Sequence, residues 1–250
     1  MLTARIIPCL DCSDGVVVKG VRFSNLRSLG SPALLAERYE RDGADELVVL
    51  DISATIEGRK NRVSIVRELR SVLSIPLTAG GGVRSITDCE SLLEAGADKI
   101  SINSAAVQEP DIITAVAERF GSQCAVVAID AMAWDDHWII ATGSGNKRHD
   151  RSAIDWAREA VERGAGEILL TSWDKDGTRS GYDTTLIEAI TAAVSVPVIA
   201  SGGAAAPADF VAAYNAGASG LLAASIFHDG EYTISNLKHS LSKQGLPIRL

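Results

Sequence analysis

Three aspartates each close a short apolar run: Asp11 after Arg5–Leu10, Asp51 after Glu46–Leu50 and Asp130 after Ala125–Ile129. A carboxylate at the end of a buried strand either caps the helix that follows or turns into a shared mouth as an acid or base. Where several converge, their proton affinities separate, so that one can give a proton while another takes one. Two glycine clusters, Gly80-Gly81-Gly82 and Ser201-Gly202-Gly203, follow the runs Leu77–Ala79 and Val198–Ala200. Such glycines serve either a tight turn or the close approach of an anion to backbone N–H groups. Asn103-Ser104, Ala224-Ser225 and Thr171-Ser172 end three further runs, and the first two pairs complete two anion sites. Two related sites across one mouth select a small ligand with a phosphate at each end.

Other chemistries are disfavoured. Cys9-x-x-Cys12 has no second such pair and no nearby histidine, so both cysteines read as strand residues in a reducing compartment. Asp174-Lys175-Asp176-Gly177-Thr178 begins like a calcium loop, but its twelfth position is Thr185 instead of glutamate. The four histidines show no ligand spacing, so neither metal nor cofactor is expected. With 24 basic against 32 acidic residues the net charge is −8, which argues against nucleic acid or an anionic membrane as partner. No apolar stretch reaches membrane-spanning length and no secretory segment is read, so a cytoplasmic location is expected.

The elements that must hold these residues repeat. Pro76-Leu-Thr-Ala-Gly-Gly-Gly82 aligns with Pro197-Val-Ile-Ala-Ser-Gly-Gly203 at an offset of 121, which also carries Asp88 onto Asp209, Gly96 onto Gly217 and Ser104 onto Ser225. Each half reads as strand, loop, helix, four times over. The strands are Arg5–Leu10, Glu46–Leu50, Leu77–Ala79, Lys99–Ile102, Ala125–Ile129, Glu167–Leu170, Val198–Ala200 and Gly220–Ala223, with helical patterns between them. The expectation is one (β/α)8 TIM barrel over residues 1–250, made of half-barrels of about 1–121 and 122–250. Cys12–Ser31, with Lys19 and Arg22, is either a lid or a solvated basic loop. At the strand starts Arg5, Glu46, Lys99 and Glu167 form either a stabilising ring or a gate for something small and polar.

These residues sit in recognisable blocks: IIPCLD, GADEL-x-x-LDI, GGGVR, GADK-x-SIN, VVAID, GEILLTS-x-D-x-DGT-x2-GYD, ASGGA and AAS-x-FH. Together they closely resemble the cyclase subunit of imidazole glycerol phosphate synthase, from Arg5 to Leu250. The resemblance implies a barrel lyase of histidine biosynthesis that receives ammonia from a glutaminase partner. Its substrate would be a ribulosyl formimino aminoimidazole carboxamide nucleotide phosphorylated at both ends. It implies Asp11 and Asp130 as the acid/base pair and Lys19 as the lid residue. Gly82, Asn103 and Ser104 would hold one phosphate, and Gly177, Gly203, Ala224 and Ser225 the other. Asp51, Thr171, Asp176, Ser201 and Gly202 would line the mouth, with Arg5, Glu46, Lys99 and Glu167 as the ammonia gate and Asp98 on the partner face. The chain departs from the pattern at Met132, where a basic residue is usual, at Ser104 for Thr, at Val16 and Arg22 for Arg and Asn, and at Ala205 for Gly. Two other readings compete: the sister ring-opening isomerase, and a barrel that mainly switches on a glutaminase, for this or another pathway.

Overall fold

Eight parallel strands pair edge to edge, and the last pairing closes the sheet on itself. The computed structural model describes residues 3–21, 24–54, 63–143 and 145–250, so Arg22 lies outside the described residues. In chain order the strands are β1 (Arg5–Ser13), β2 (Val16–Val21), β3 (Ser24–Gly30), β4 (Leu47–Asp51), β5 (Leu77–Gly80), β6 (Lys99–Ile102), β7 (Ala125–Trp134), β8 (His137–Thr142), β9 (Lys147–Ser152), β10 (Glu167–Ser172), β11 (Val198–Ser201) and β12 (Gly220–Ala223). The closed ring runs β1, β4, β5, β6, β7, β10, β11, β12 and back to β1. The helices are α1 (Pro32–Arg41), α2 (Val63–Val72), α3 (Ile86–Glu94), α4 (Ser104–Gln108), α5 (Asp111–Phe120), α6 (Ala153–Glu162), α7 (Thr184–Ala193), α8 (Pro207–Asn215), α9 (Ser225–His228) and α10 (Ile234–Lys243). This is a (β/α)8 barrel.

Alternation along each strand sorts the core into two shells. Ile6 and Leu10 face outward with Leu47, Val49, Leu77 and Ala79 against the helices, whereas Ile7, Cys9, Val48, Val126, Leu169, Ile199 and Leu222 fill the barrel. Gly220 is an inward position. A Cβ there would lie 2.8 Å from Ile199 and 3.0 Å from Ile7, so glycine leaves β12 room for the side chains of its neighbours. Helix starts follow side-chain chemistry. Ser85, Ser152, Asp183 and Thr233 each accept a backbone N–H from the first turn of their helix. The repeat persists in these details: Asp88 accepts the Arg84 N–H at 3.1 Å and Asp209 accepts that of Ala205 at 2.9 Å.

Two hairpins were absent from the sequence reading. β1 continues past Asp11 into an antiparallel pairing with β2, which pairs with β3, so the described part of Cys12–Ser31 is a ribbon instead of an irregular loop. β7 likewise runs on to Trp134 and pairs with β8, and β8 with β9. Each hairpin follows the first strand of its half and extends beyond the mouth.

The C-terminus is fastened to the strand-start end by a buried ion pair. Lys238 Nζ lies 2.9 Å from Asp45 Oδ1 and 2.9 Å from the Arg249 carbonyl, while Asp45 Oδ2 accepts the Ile6 N–H at 2.8 Å. Both ion-paired side chains are under a tenth exposed. Removing the Lys238 cation leaves the buried carboxylate only the largely exposed Arg249 guanidinium, 3.4 Å from Oδ1, which places the cost at the lower end of the about 3–5 kcal/mol for breaking a buried pair. We therefore expect Lys238→Met to lower the free energy of unfolding by about 3 kcal/mol in urea titrations, and Asp45→Asn in the same background to add much less than it costs alone.

Candidate active site at the barrel mouth

Every mouth residue named from the sequence reaches a single cavity at the carboxyl ends of the strands. Asp11, Lys19, Asp51, Gly82, Asn103, Ser104, Asp130, Thr171, Asp176, Gly177, Ser201, Gly202, Gly203, Ala224 and Ser225 all line a hollow of about 1220 Å³ that opens to solvent. Most are there because a barrel strand ends beside them, whereas Lys19 is carried in on β2 and Asp176 and Gly177 on the segment after β10. Asp11 and Asp130 lie inward on β1 and β7, and Thr171 faces Asp130 across the β10–β7 ladder.

The two principal carboxylates have unlike surroundings. Asp11 Oδ2 is ion-paired with Lys19 Nζ at 3.2 Å, carried over from β2, and Asp11 Oδ1 accepts the Cys9 thiol at 3.4 Å. Burial holds that thiol well above its ordinary value, so it stays a donor. Burial works against the Lys19 ammonium, yet Asp11 and then Asp176 hold it above its ordinary value. Asp130 Oδ2 instead accepts an amide hydrogen from Asn103 at 2.9 Å. Burial pushes Asp130 up to about 7, against the Asn103 hydrogen bond and with help from the Asp176 charge. A group balanced there at neutral pH can deliver a proton.

Two repeat-related groups of residues line this one cavity together with the acids. One gathers Gly82, Asn103 and Ser104, the other Gly177, Gly203, Ala224 and Ser225. Asn103 and Ala224 share one uncommon backbone shape, with φ and ψ of −118° and −88° in the first and −127° and −69° in the second, and each precedes a short helix, α4 or α9. Gly203 sits at φ +95°, and a Cβ would fall 2.1 Å from the Gly181 carbonyl, whose oxygen lies where only glycine leaves room. Ser104 Oγ accepts the Gly143 N–H at 3.1 Å, which fastens the β8–β9 connection to the rim.

At the opposite end, Arg5, Glu46, Lys99 and Glu167 close a ring. Arg5 bonds Glu46 at 2.7 Å and Glu167 at 2.6 Å; Lys99 bonds the other oxygens of the same carboxylates at 3.0 and 2.8 Å. Beside it, Asp98 is exposed but engaged by Arg70 at 2.9 Å and by the Leu77 N–H at 2.8 Å. Between ring and mouth the barrel is apolar except for Thr78 and Ser101, and the Thr78 hydroxyl is buried with no hydrogen-bond partner. Met132 packs on Ile139, Ala141 and Trp173, so a cation there would be buried against apolar side chains.

Arg179 is the lining residue that sequence reasoning missed. Its only signal was a cation two places after Gly177.

A closed parallel barrel with inward acids and a glycine-lined cavity at its strand ends defines a (β/α)8-barrel enzyme that holds a small ligand over its mouth. The chain belongs to the histidine biosynthesis protein family, whose model it matches over residues 5–233. It is 54% identical over 250 residues to imidazole glycerol phosphate synthase subunit HisF of Metallosphaera sedula, with both chains fully covered. The subunits of the same name from Dehalococcoides mccartyi and Myxococcus xanthus are 54% and 53% identical, over 100% of this chain and 99% of theirs. Each relative's name makes it a subunit of a larger synthase. Among the described residues no helix is long and apolar enough to cross a membrane.

The Asp130 environment generates a stability test. Because its value when folded lies above the ordinary one, the folded protein holds this proton more tightly than the unfolded chain does. The associated stability is complete below about pH 4 and is lost as pH rises through about 7. Asp130→Asn should therefore be more stable than the parent by about 2–4 kcal/mol near pH 8.5, and the gain should shrink toward zero on acidification, as followed by denaturant midpoints.

Proposed function

We propose that the chain is the cyclase subunit of an imidazole glycerol phosphate synthase, acting as one barrel of two half-barrels in the cytoplasm beside a glutaminase subunit. Ammonia adds to the ribulosyl carbonyl of the formimino nucleotide, water leaves, and ring closure onto the formimino carbon expels aminoimidazole carboxamide ribotide. Asp130, protonated near neutrality, supplies the proton that carries off the carbonyl oxygen as water. Asp11, oriented by Lys19 and Cys9, accepts protons from the nitrogen that has added. Gly82, Asn103 and Ser104 take one phosphate; Gly177, Gly203, Ala224 and Ser225 take the other; Asp51, Thr171, Asp176, Ser201 and Gly202 shape the space between. No cofactor is needed, because every step moves only protons and nitrogen.

The observation that carries this reading is the pairing of unlike carboxylates, one held by an ammonium and one pushed up to about 7, in one cavity that two repeat-related sets of glycine and hydroxyl residues also line. The charged floor supports the ammonia route. Neutral ammonia crosses an apolar interior far more cheaply than ammonium does, and the unpartnered Thr78 hydroxyl offers it a hydrogen bond on the way. The glutaminase would dock on the floor face, around Asp98.

With ammonium salt as nitrogen source, Asp11→Asn and Asp130→Asn should each lower turnover by about 10²–10⁴ while the Michaelis constant for the nucleotide changes little. Turnover of the parent should fall as pH rises past about 7, after correction for free ammonia, as Asp130 loses its proton. Retention of near-parental turnover in both variants would remove the assignment.

The floor yields a separate expectation. In Lys99→Ala, glutamine hydrolysed per product formed should rise above one with the glutaminase present, while ammonium-driven turnover stays within a few-fold. Equal loss in both assays with one-to-one stoichiometry would make the ring purely structural.

A further inference from the structure

The second group of lining residues, Gly177, Gly203, Ala224 and Ser225, as described so far, offers a phosphate only neutral donors: backbone N–H groups and the Ser201 and Ser225 hydroxyls. Among the described residues two cations line the cavity, Lys19 and Arg179, and Lys19 is committed to Asp11. Arg179 lies on the segment between β10 and α7, and that segment is fixed against this group: Gly181 donates its N–H to the Gly203 carbonyl at 2.9 Å. Arg179 itself has φ +57°, a left-handed backbone that costs a side-chain-bearing residue roughly 1 kcal/mol. The surroundings therefore impose its position on the rim. Its guanidinium is held by two carboxylates, Asp229 and Glu231, which follow the short helix beginning at Ser225. Asp229 has a second cation, Arg27 of β3. Burial opposes it, but these two guanidiniums hold the Asp229 carboxyl below its ordinary value. Among the described residues Glu231 is ion-paired with Arg179 alone, and both groups are about two-fifths exposed. Such a pair is worth little, so exchanging it for a better acceptor is cheap. A phosphate monoester offers that acceptor, because its oxygens match the guanidinium fork.

We propose that Arg179 is a specificity-determining residue for the second group: its guanidinium leaves Glu231 and closes on a terminal phosphate held by Gly177, Gly203 and Ser225, while Asp229 stays as its other partner. The inference rests on the reading that a phosphate sits there and adds the charge that selects it over an uncharged end group. Glu231 is then an internal competitor. That fixes an unusual sign: removing the acidic partner of Arg179 strengthens ligand binding.

The test uses the full chain with the ribulosyl formimino nucleotide and ammonium salt, and inorganic phosphate as a separate probe followed by calorimetry. Arg179→Met should raise the Michaelis constant at least tenfold with turnover within threefold, and Arg179→Lys should recover part of the loss by restoring charge without the fork. All three side chains carry a Cβ, so the backbone cost at φ +57° cancels. Glu231→Gln should bind inorganic phosphate two- to fivefold more tightly. A merely structural Arg179 predicts the reverse, with Glu231→Gln as damaging as Arg179→Met because both free the same segment. A Michaelis constant within twofold in Arg179→Met, or unchanged or weaker phosphate binding in Glu231→Gln, overturns the proposal. Ser225→Asp separates the two levels. If it leaves the Michaelis constant unchanged, the phosphate reading of this group is wrong; if it raises it while Arg179→Met does not, only the role of Arg179 fails.

Discussion

A closed ring of eight parallel strands fills each layer of its interior with side chains from alternate strands, and that limit governs everything the interior does. Arg5, Glu46, Lys99 and Glu167 occupy the lowest layer, Ile7, Val48, Val126, Leu169 and Ile199 lie in the apolar shell above it, and Asp11, Asn103, Asp130 and Thr171 lie at the mouth. The floor, the apolar interior and the acids are thus consecutive readings of the same eight strands. A shift of one residue in any strand that carries an acid or a floor charge would turn that group outward among the helices.

Sequence patterning exposed the ring well because buried parallel strands are short apolar runs between turn residues. Lys99–Ile102 and Gly220–Ala223 begin and end in the structure where the pattern places them. The strand-end acids and the glycine clusters were legible for the same reason, since each is the first polar or flexible residue after such a run. The two hairpins were not. β3 (SNLRSLG) and β9 (KRHDRS) are mostly polar and offer no apolar run or clean alternation to read. Their common place after the first strand of each half was the available signal. Arg179 escaped for another reason: its position comes from the contact of Gly181 with Gly203, some twenty residues away, and nothing local marks it.

The halves match in backbone more closely than in chemistry. Asp11 and Asp130 end equivalent strands, yet one meets an ammonium from a hairpin and the other a neutral amide. A duplicated carboxylate thereby becomes a pair of unlike groups through a single neighbour each. The second hairpin cannot repeat the Lys19 arrangement, because Met132, Ile139 and Trp173 fill its base with apolar atoms. A symmetric scaffold thus carries an asymmetric pair of acid groups.

The floor ring has a topological property that its four distances do not by themselves express. Each carboxylate uses both oxygens, one toward Arg5 and one toward Lys99, so the bonds form a circuit. Cutting any one bond of a circuit leaves an unbroken chain in which every member still touches a neighbour of opposite sign. One side can swing aside while no charge is abandoned in the low-dielectric interior, and the opening is therefore far cheaper than parting an isolated buried pair. Two ion pairs standing side by side would lack this tolerance, since the first break in either would strand two charges at once.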